Sequence, residues 1–318
     1  MSDRVDKLAP VLVTGVGGFI GSAVAEYLIE DGLQVVGVDD FSNGLVENVP
    51  TGVDLIEADL ADPSSTSLFP SKVHSILHIA GQSSGVKSFQ DPILDLNRNV
   101  ASTLNLIRYG SEFAARRIVY ASSMTVYGTQ PDIPIAENSV CKPLSCYGTG
   151  KLAAENYLQL YGNLLPWVSF RIFNAYGPRQ NLKDLRQGMV SIFLAQALDK
   201  GHVRVEGALD RFRDFIFIDD IVRAFRLTVN ENAPSNAVIN LGTGTRTTVE
   251  RLLHTLKEHI PGLTWSTAGG TLGDQHGIYA DTQKVQNILK LGELTSLNDG
   301  LRFFVNWAQS EKAGHLTL

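Results

Sequence analysis

Cysteine is nearly absent from this chain of 318 residues: only Cys141 and Cys146 occur. Their number and spacing build neither a disulfide framework nor a zinc site, and both read as loop thiols. The histidines (His74, His78, His202, His254, His259, His276 and His315) share no ligand spacing, so no metal is expected. No stretch approaches the roughly 18 apolar residues of a membrane span, and the opening MSDRVDKLAP lacks the apolar centre of a signal peptide. A cytoplasmic protein with no membrane partner is expected. Excess positive charge is missing too: 27 Lys and Arg against 33 Asp and Glu leave a formal net charge of -6. That balance argues against nucleic acid, which needs a basic face. Internal repeats and low-complexity linkers are likewise lacking.

What is present is apolar material, 44% of the chain, enough to bury a substantial core and to hold two lobes around one cleft. From residue 11 to about 172, short β-branched runs alternate with amphipathic helical patterns. The runs cover 11–14, 34–39, 54–57, 75–79, 118–122 and 168–172. VLVT, QVVGV and SILHI are almost continuously hydrophobic, as parallel strands covered on both faces are. The reading is an α/β chain: a Rossmann-like doubly wound parallel sheet over 1–173 and a smaller C-terminal α+β substrate lobe over 174–318. Helices are expected near 187–200, 219–230, 247–259, 281–291 and 297–309. Two strand-like segments, 215–218 and 238–241, belong either to the small lobe or back in the large sheet.

Directly after the first run, Gly15, Gly18 and Gly21 form a G-x-x-G-x-x-G spacing at a strand-to-helix turn, with Phe19 and Ile20 opening the helix. Such a turn brings backbone N–H groups and a helix N-terminus to a pyrophosphate. About 20 residues on, the second run ends in Asp39-Asp40. A carboxylate there accepts from ribose hydroxyls and repels a 2′-phosphate, and no Arg or Lys follows before Asn48; the cofactor expected is NAD, not NADP.

Tyr147 and Lys151 stand four residues apart, on one face of a helix. A lysine ammonium beside a phenol favours the phenolate, and Ser122, Ser123 and Thr125 follow the fifth run at the sheet edge where ligands bind. Together they form a candidate proton-transfer site, with Met124 read as a packing residue.

Nearly the whole chain resembles the extended short-chain dehydrogenase/reductase family of nucleotide-sugar epimerases and dehydratases. The pieces that carry the resemblance are TGVGGFIG, VDDFSNG, EADLAD, HIAGQSS, YASSMTVYG, YGTGK, RIFNAYGPRQ, RFRDFIFIDD and NLGTGT. It implies Ser123, Tyr147 and Lys151, with Thr125, at the catalytic positions. It adds Asn43, Asp59, Leu60, Ala80, Gly81 and Asn99 to the cofactor site. For the substrate it implies Gln82, Asn174, Arg213 and Asp274, with Arg204 and Glu206 gripping the nucleoside. Thr271-Leu272-Gly273-Asp274 replaces the family's Arg-Pro-Gly-Asp, so Arg179 or Arg211 is left to supply a phosphate contact.

Members of the family share oxidation at the sugar C4. Dehydratases and decarboxylases are similar to one another in placing acids where this chain has Met124-Thr125, which implies 4-epimerisation here. The implied substrate is a UDP-hexose or, because Ile278 stands where some epimerases carry a tyrosine, a UDP-N-acetylhexosamine. A dehydratase or 5-epimerase using Cys141, Cys146 or Glu137, a uronate 4-epimerase, and a silent NAD-binding sensor stay open. Apolar stripes on the helices around 95–113 and 147–161 lead to an expected homodimer.

Overall fold

The computed structural model describes residues 9–183, 188–230, 233–269 and 276–314. Its first part alternates β1 (Val11–Thr14), α1 (Phe19–Glu30), β2 (Val35–Asp39), β3 (Val53–Glu57), β4 (Ile76–His78), α2 (Gly85–Gln90) and α3 (Pro92–Leu96). A five-residue π turn, Asn97–Ala101, leads into α4 (Ser102–Glu112), followed by β5 (Ile118–Ser123), α5 (Cys146–Leu160), β6 (Trp167–Ile172) and β7 (Asn174–Tyr176). The second part holds α6 (Met189–Lys200), β8 (His202–Glu206), β9 (Phe212–Arg213), β10 (Phe215–Phe217), α7 (Ile218–Thr228) and β11 (Ala237–Leu241). It closes with β12 (Thr247–Thr248), α8 (Val249–His259), β13 (Thr264–Ala268), β14 (Gly277–Ile278), α9 (Gln283–Leu289) and α10 (Leu297–Gly314).

Seven parallel strands make the main sheet in the order β11-β6-β5-β4-β1-β2-β3. Successive side chains of a strand face opposite sides. Val11 and Val13 therefore join the core under α1 and α7, while Leu12 joins a second core with Val36, Val38 and Ile76 under α4 and α5. Both faces being covered is why β1 and β2 are buried along their whole length.

The order reverses between β1 and β4, the switch point at which such sheets open a crevice beyond the carboxyl ends of their strands. Ala237–Leu241 lies at the edge of this sheet beside β6, whereas Phe215–Phe217 pairs with Asn174–Tyr176 in a separate two-stranded sheet. The remaining strands form two small sheets, β12-β9-β14 and β13-β8. No helix among the described residues is long and apolar enough to cross a membrane, and no group of three metal-ligating side chains occurs among them.

Candidate active site

A cleft of about 480 Å³ opens at the switch point. Gly15, Gly18, Phe19, Ile20 and Gly21 line one wall. Gly15 sits at φ +73, and a Cβ there would come within 2.8 Å of Ala80 N; a Cβ on Gly21 would stand 2.0 Å from Gly15 O. Both positions require glycine, so the loop hugs β4 and the first turn of α1. A Cβ on Gly18 would meet only Gly15 O, at 3.2 Å, which leaves that side of the loop open to the cleft. The first turn of α1 has no acidic side chain, so its unpaired N–H groups and positive dipole end favour an anion.

Asp39, at the end of β2, is 8% exposed. One oxygen accepts from Gly17 N and the other from Phe41 N, both at 2.9 Å. Burial raises its pKa, against the two backbone bonds that lower it. Asp40, Asn43, Asp59, Leu60, Ala80 and Gly81 complete this end of the cleft. Open glycine face, helix N-terminus and paired carboxylate fit the pyrophosphate and ribose of a dinucleotide. Two cations lie at this end: Arg98 Nη2, not apparent from the sequence, stands 3.4 Å from Asp40, and Lys87 Nζ, which the sequence reads as a solvated group or a phosphate contact, stands 3.5 Å from Asn43 Oδ1. Both come from helices far along the chain.

Asn99 does not line the cleft. It is fully buried behind Gly81; its Nδ2 donates to Gln82 O and to Asp95 Oδ1, each at 3.1 Å, and its Oδ1 has no hydrogen-bond partner among the described residues.

At the other end β5 delivers Ser123 and α5 delivers Tyr147 and Lys151, all buried and all on the cleft wall. Ser145 caps α5 by accepting from Gly148 N at 3.1 Å, which fixes where Tyr147 begins its turn. Ser123 lies close enough to the Tyr147 hydroxyl to favour its phenolate, and Thr125 Oγ1 donates to Ser123 Oγ at 3.0 Å. Lys151 Nζ donates to Ala121 O at 2.9 Å and lies 5.8 Å from the centre of the Tyr147 ring. Burial pushes Tyr147 up to about 12, partly opposed by Ser123, and pulls Lys151 down to about 8 against the charges of Asp95 and Glu155. The trio is assembled, but its phenol is strongly acid-weakened until positive charge arrives.

Behind it, Glu155 accepts from Ser122 Oγ at 2.5 Å and from Arg171 at 2.7 Å, a buried pair tying α5 to β5 and β6. Gln82, Asn174 and Arg179 also line the cleft. Arg179 holds Glu26 of α1 at 2.5 Å from a left-handed backbone, φ +70.

Other expected substrate residues lie elsewhere. Arg204 and Glu206 do not line the cleft; they pair with each other at 3.0 Å on the exposed face of β8. Arg213 is buried under β14, donating to Phe212 O at 2.7 Å, and burial together with Arg211 pulls its pKa down to about 10. Ile278 packs among Val126, Tyr127, Ile135, Phe173 and Ala280; Phe173 is on the cleft wall, and Ile278 does not itself line it. Asp274 lies outside the described residues, as does Thr271. Of the alternative acids, the Glu137 carboxylate accepts from Asn240 N at 2.8 Å, and Cys141 and Cys146 do not line the cleft.

Residues 11–242 match the model of the NAD dependent epimerase/dehydratase family. The chain belongs to that family. Its cofactor is NAD. Among relatives of this NAD-dependent enzyme, the UDP-glucose 4-epimerase of Mycolicibacterium smegmatis is 37% identical over 253 residues, 77% of this chain and 80% of that one. The structure of UDP-glucose 4-epimerase from Thermotoga maritima, solved with UDP-glucose, superposes with a TM-score of 0.91 at 31% identity, covering 95% and 99% of the two chains. The Thermus thermophilus UDP-glucose 4-epimerase, complexed with NAD, gives 0.86 at 30%, covering 94% and 99%. Other reactions appear among the relatives: UDP-glucuronic acid decarboxylase 1 of Xenopus tropicalis is 28% identical over 95% of this chain and 72% of its own.

Proposed function

We propose that the enzyme inverts C4 of a UDP-linked hexose or N-acetylhexosamine by oxidation to a 4-keto sugar and reduction from the other face. The observation that carries this reading is the chemistry of the cleft wall beside the trio. Its acids, Asp39, Asp40 and Asp59, stand at the adenosine end, and no carboxylate among the described lining residues reaches the Ser123 end to drive loss of water. NAD bound in the cleft supplies the hydride acceptor and donor. Tyr147 Oη takes the C4 hydroxyl proton and later returns it, Ser123 Oγ holds that oxygen in line, and the Lys151 ammonium stabilises the phenolate. Residues 1–173, with β11 alongside, serve the cofactor, and 174–318 grip the nucleotide. Cytoplasmic location is part of the same reading.

Purified enzyme given UDP-galactose, UDP-glucose, their N-acetyl forms and UDP-glucuronate should interconvert one C4 pair without added NAD, as followed by proton NMR. Deuterium placed at C4 should stay on carbon. Loss of label to solvent, or a product lacking water, refutes the reading; turnover of the glucuronate alone moves the substrate to a uronic acid.

The apolar side chains Leu96, Tyr157 and Leu160, 50%, 37% and 75% exposed, fit the homodimer we propose through the helices at 95–113 and 147–161. A monomeric mass at micromolar concentration contradicts it.

A further inference from the structure

Asp95 lies in α3, a five-residue helix whose sequence, PILDL, shows no sign of a site. Its side chain is 1% exposed. Oδ1 accepts from Gln82 Nε2 at 2.7 Å and from Asn99 Nδ2 at 3.1 Å. Gln82 in turn is locked to Ser84, donating to its carbonyl at 2.8 Å and accepting from its N–H. Two neutral amide donors, both on Oδ1, are a poor match for a buried carboxylate, which needs a cation nearby. The other buried acid near the trio, Glu155, has one: both Nε and Nη2 of Arg171 bind it. Asp95 has no such arginine among the described residues, and the ammonium on its side is Lys151, next to Gly150 in the chain, whose Nζ stands 3.4 Å from where a Cβ on Gly81 would lie, a point 2.5 Å from Oδ1 of the Asn99 that bonds Asp95. α5 lies against Asp95 at residue 150, where a Cβ would meet Asp95 Oδ2 at 3.4 Å.

We propose that Asp95 is a positioning residue of the reaction: it is the buried counter-charge that keeps Lys151 protonated, and through Gln82 and Asn99 it fixes the wall beside that lysine. This rests on Tyr147 and Lys151 being the proton-transfer pair. The other groups facing Lys151 are Glu155 on its own helix, already neutralised by Arg171 of β6, the rings of Tyr120 and Tyr147, and His78 of β4. Burial holds His78 at about 3, so it is uncharged at neutral pH. Arg98 of the π turn and Lys87 of α2 are engaged with Asp40 and Asn43. Asp95 is therefore the uncompensated negative charge on the pair. It also bears on Tyr147, whose ionisation it opposes.

The test is Asp95→Asn in the holoenzyme, with lysine 13Cε labelled and the Lys151 signal identified by its loss in Lys151→Met. The Lys151 titration midpoint should fall by about one pH unit. The alkaline limb of kcat should move down with it, so that kcat above that limb is about tenfold lower than in the wild type while KM stays within twofold. Asp95→Glu, which restores the charge, should move the limb back. A Lys151 midpoint that does not move in Asp95→Asn, whatever happens to kcat or Tm, overturns the proposal and leaves Asp95 a structural residue. The wild type decides even where the variant fails to fold: the Asp95 carboxyl carbon must report an ionised group at pH 7, and a protonated one overturns it. The lysine titration needs no sugar substrate, so a wrong reaction assignment leaves it readable.

Discussion

Replacing Lys151 by methionine keeps the length of the side chain and deletes its charge. In the wild type the Tyr147 phenol is held at about 12 by burial, some five pH units above neutrality, so the site must supply about 7 kcal/mol to make a phenolate at pH 7. The Lys151 ammonium, 5.8 Å from the ring centre, favours the phenolate by about 3 kcal/mol at an effective dielectric of about 20, so deleting it adds to that deficit by about two pH units. The variant should therefore turn over roughly 100-fold more slowly at pH 7. Because the deficit is one of phenolate, its kcat should climb about tenfold per pH unit toward pH 9. Lys151 itself, drawn down to about 8 by burial, loses its charge above that pH, so the wild-type curve flattens where the variant's rises. The assay is kcat by anomeric-proton NMR across this range, with bound NAD measured spectrophotometrically to separate lost cofactor from lost proton transfer. A fall of less than about threefold, or the same fall at pH 7 and pH 9, refutes the electrostatic reasoning.

Asp39→Ser removes the carboxylate that holds the cofactor loop and should weaken NAD about tenfold or more, the worth of a charge-assisted hydrogen bond. Arg98 at that end should narrow the preference over NADP at the same time; calorimetric Kd values for both dinucleotides check this, and an unchanged ratio contradicts it. Gly21→Ala forces a Cβ to 2.0 Å from Gly15 O and should lower stability by at least about 3 kcal/mol, whereas Gly269→Ala, with nothing within 4 Å, should change it by less than about 0.5. Thermal melts of the two variants side by side give the comparison. Arg171→Met strands the Glu155 carboxylate in the interior and should lose about 3–5 kcal/mol, with Glu155→Gln added to it restoring part of the loss in the same melts.

The cofactor end of the site was legible because its signals are local. Glycine spacing, a hydrophobic run and an acid at the end of the next run all fall within residues 11–40, and each maps onto β1, α1 or β2 to within a residue or two. The trio was legible for a similar reason: four residues on a helix share a face, and Ser123 ends a strand. Segments whose partners lie far off were not. Phe215–Phe217 is a short apolar run that suits any sheet, and it pairs with β7 rather than with the main sheet. Arg98 meets Asp40 across 58 residues of chain, a contact that no local pattern announces.

One misplacement and one omission had a signal that could have been used. His202–Glu206 alternates exposed and buried, with Val203 and Val205 inside, and a period-two reading puts Arg204 and Glu206 together on the outer face, where they pair. Helix α5 carries glycine at 148 and again at 150, in its interior, where each costs about 1 kcal/mol relative to alanine. Such a cost persists where backbones or side chains must come close. At Gly148 the near neighbour is Thr125 O, 2.9 Å from the missing Cβ, and at Gly150 it is Asp95 and Asn99. The two glycines inside the Tyr147-to-Lys151 turn therefore marked both walls against which the catalytic helix is pressed: the serine turn on one side, and on the other the buried acid that its lysine requires.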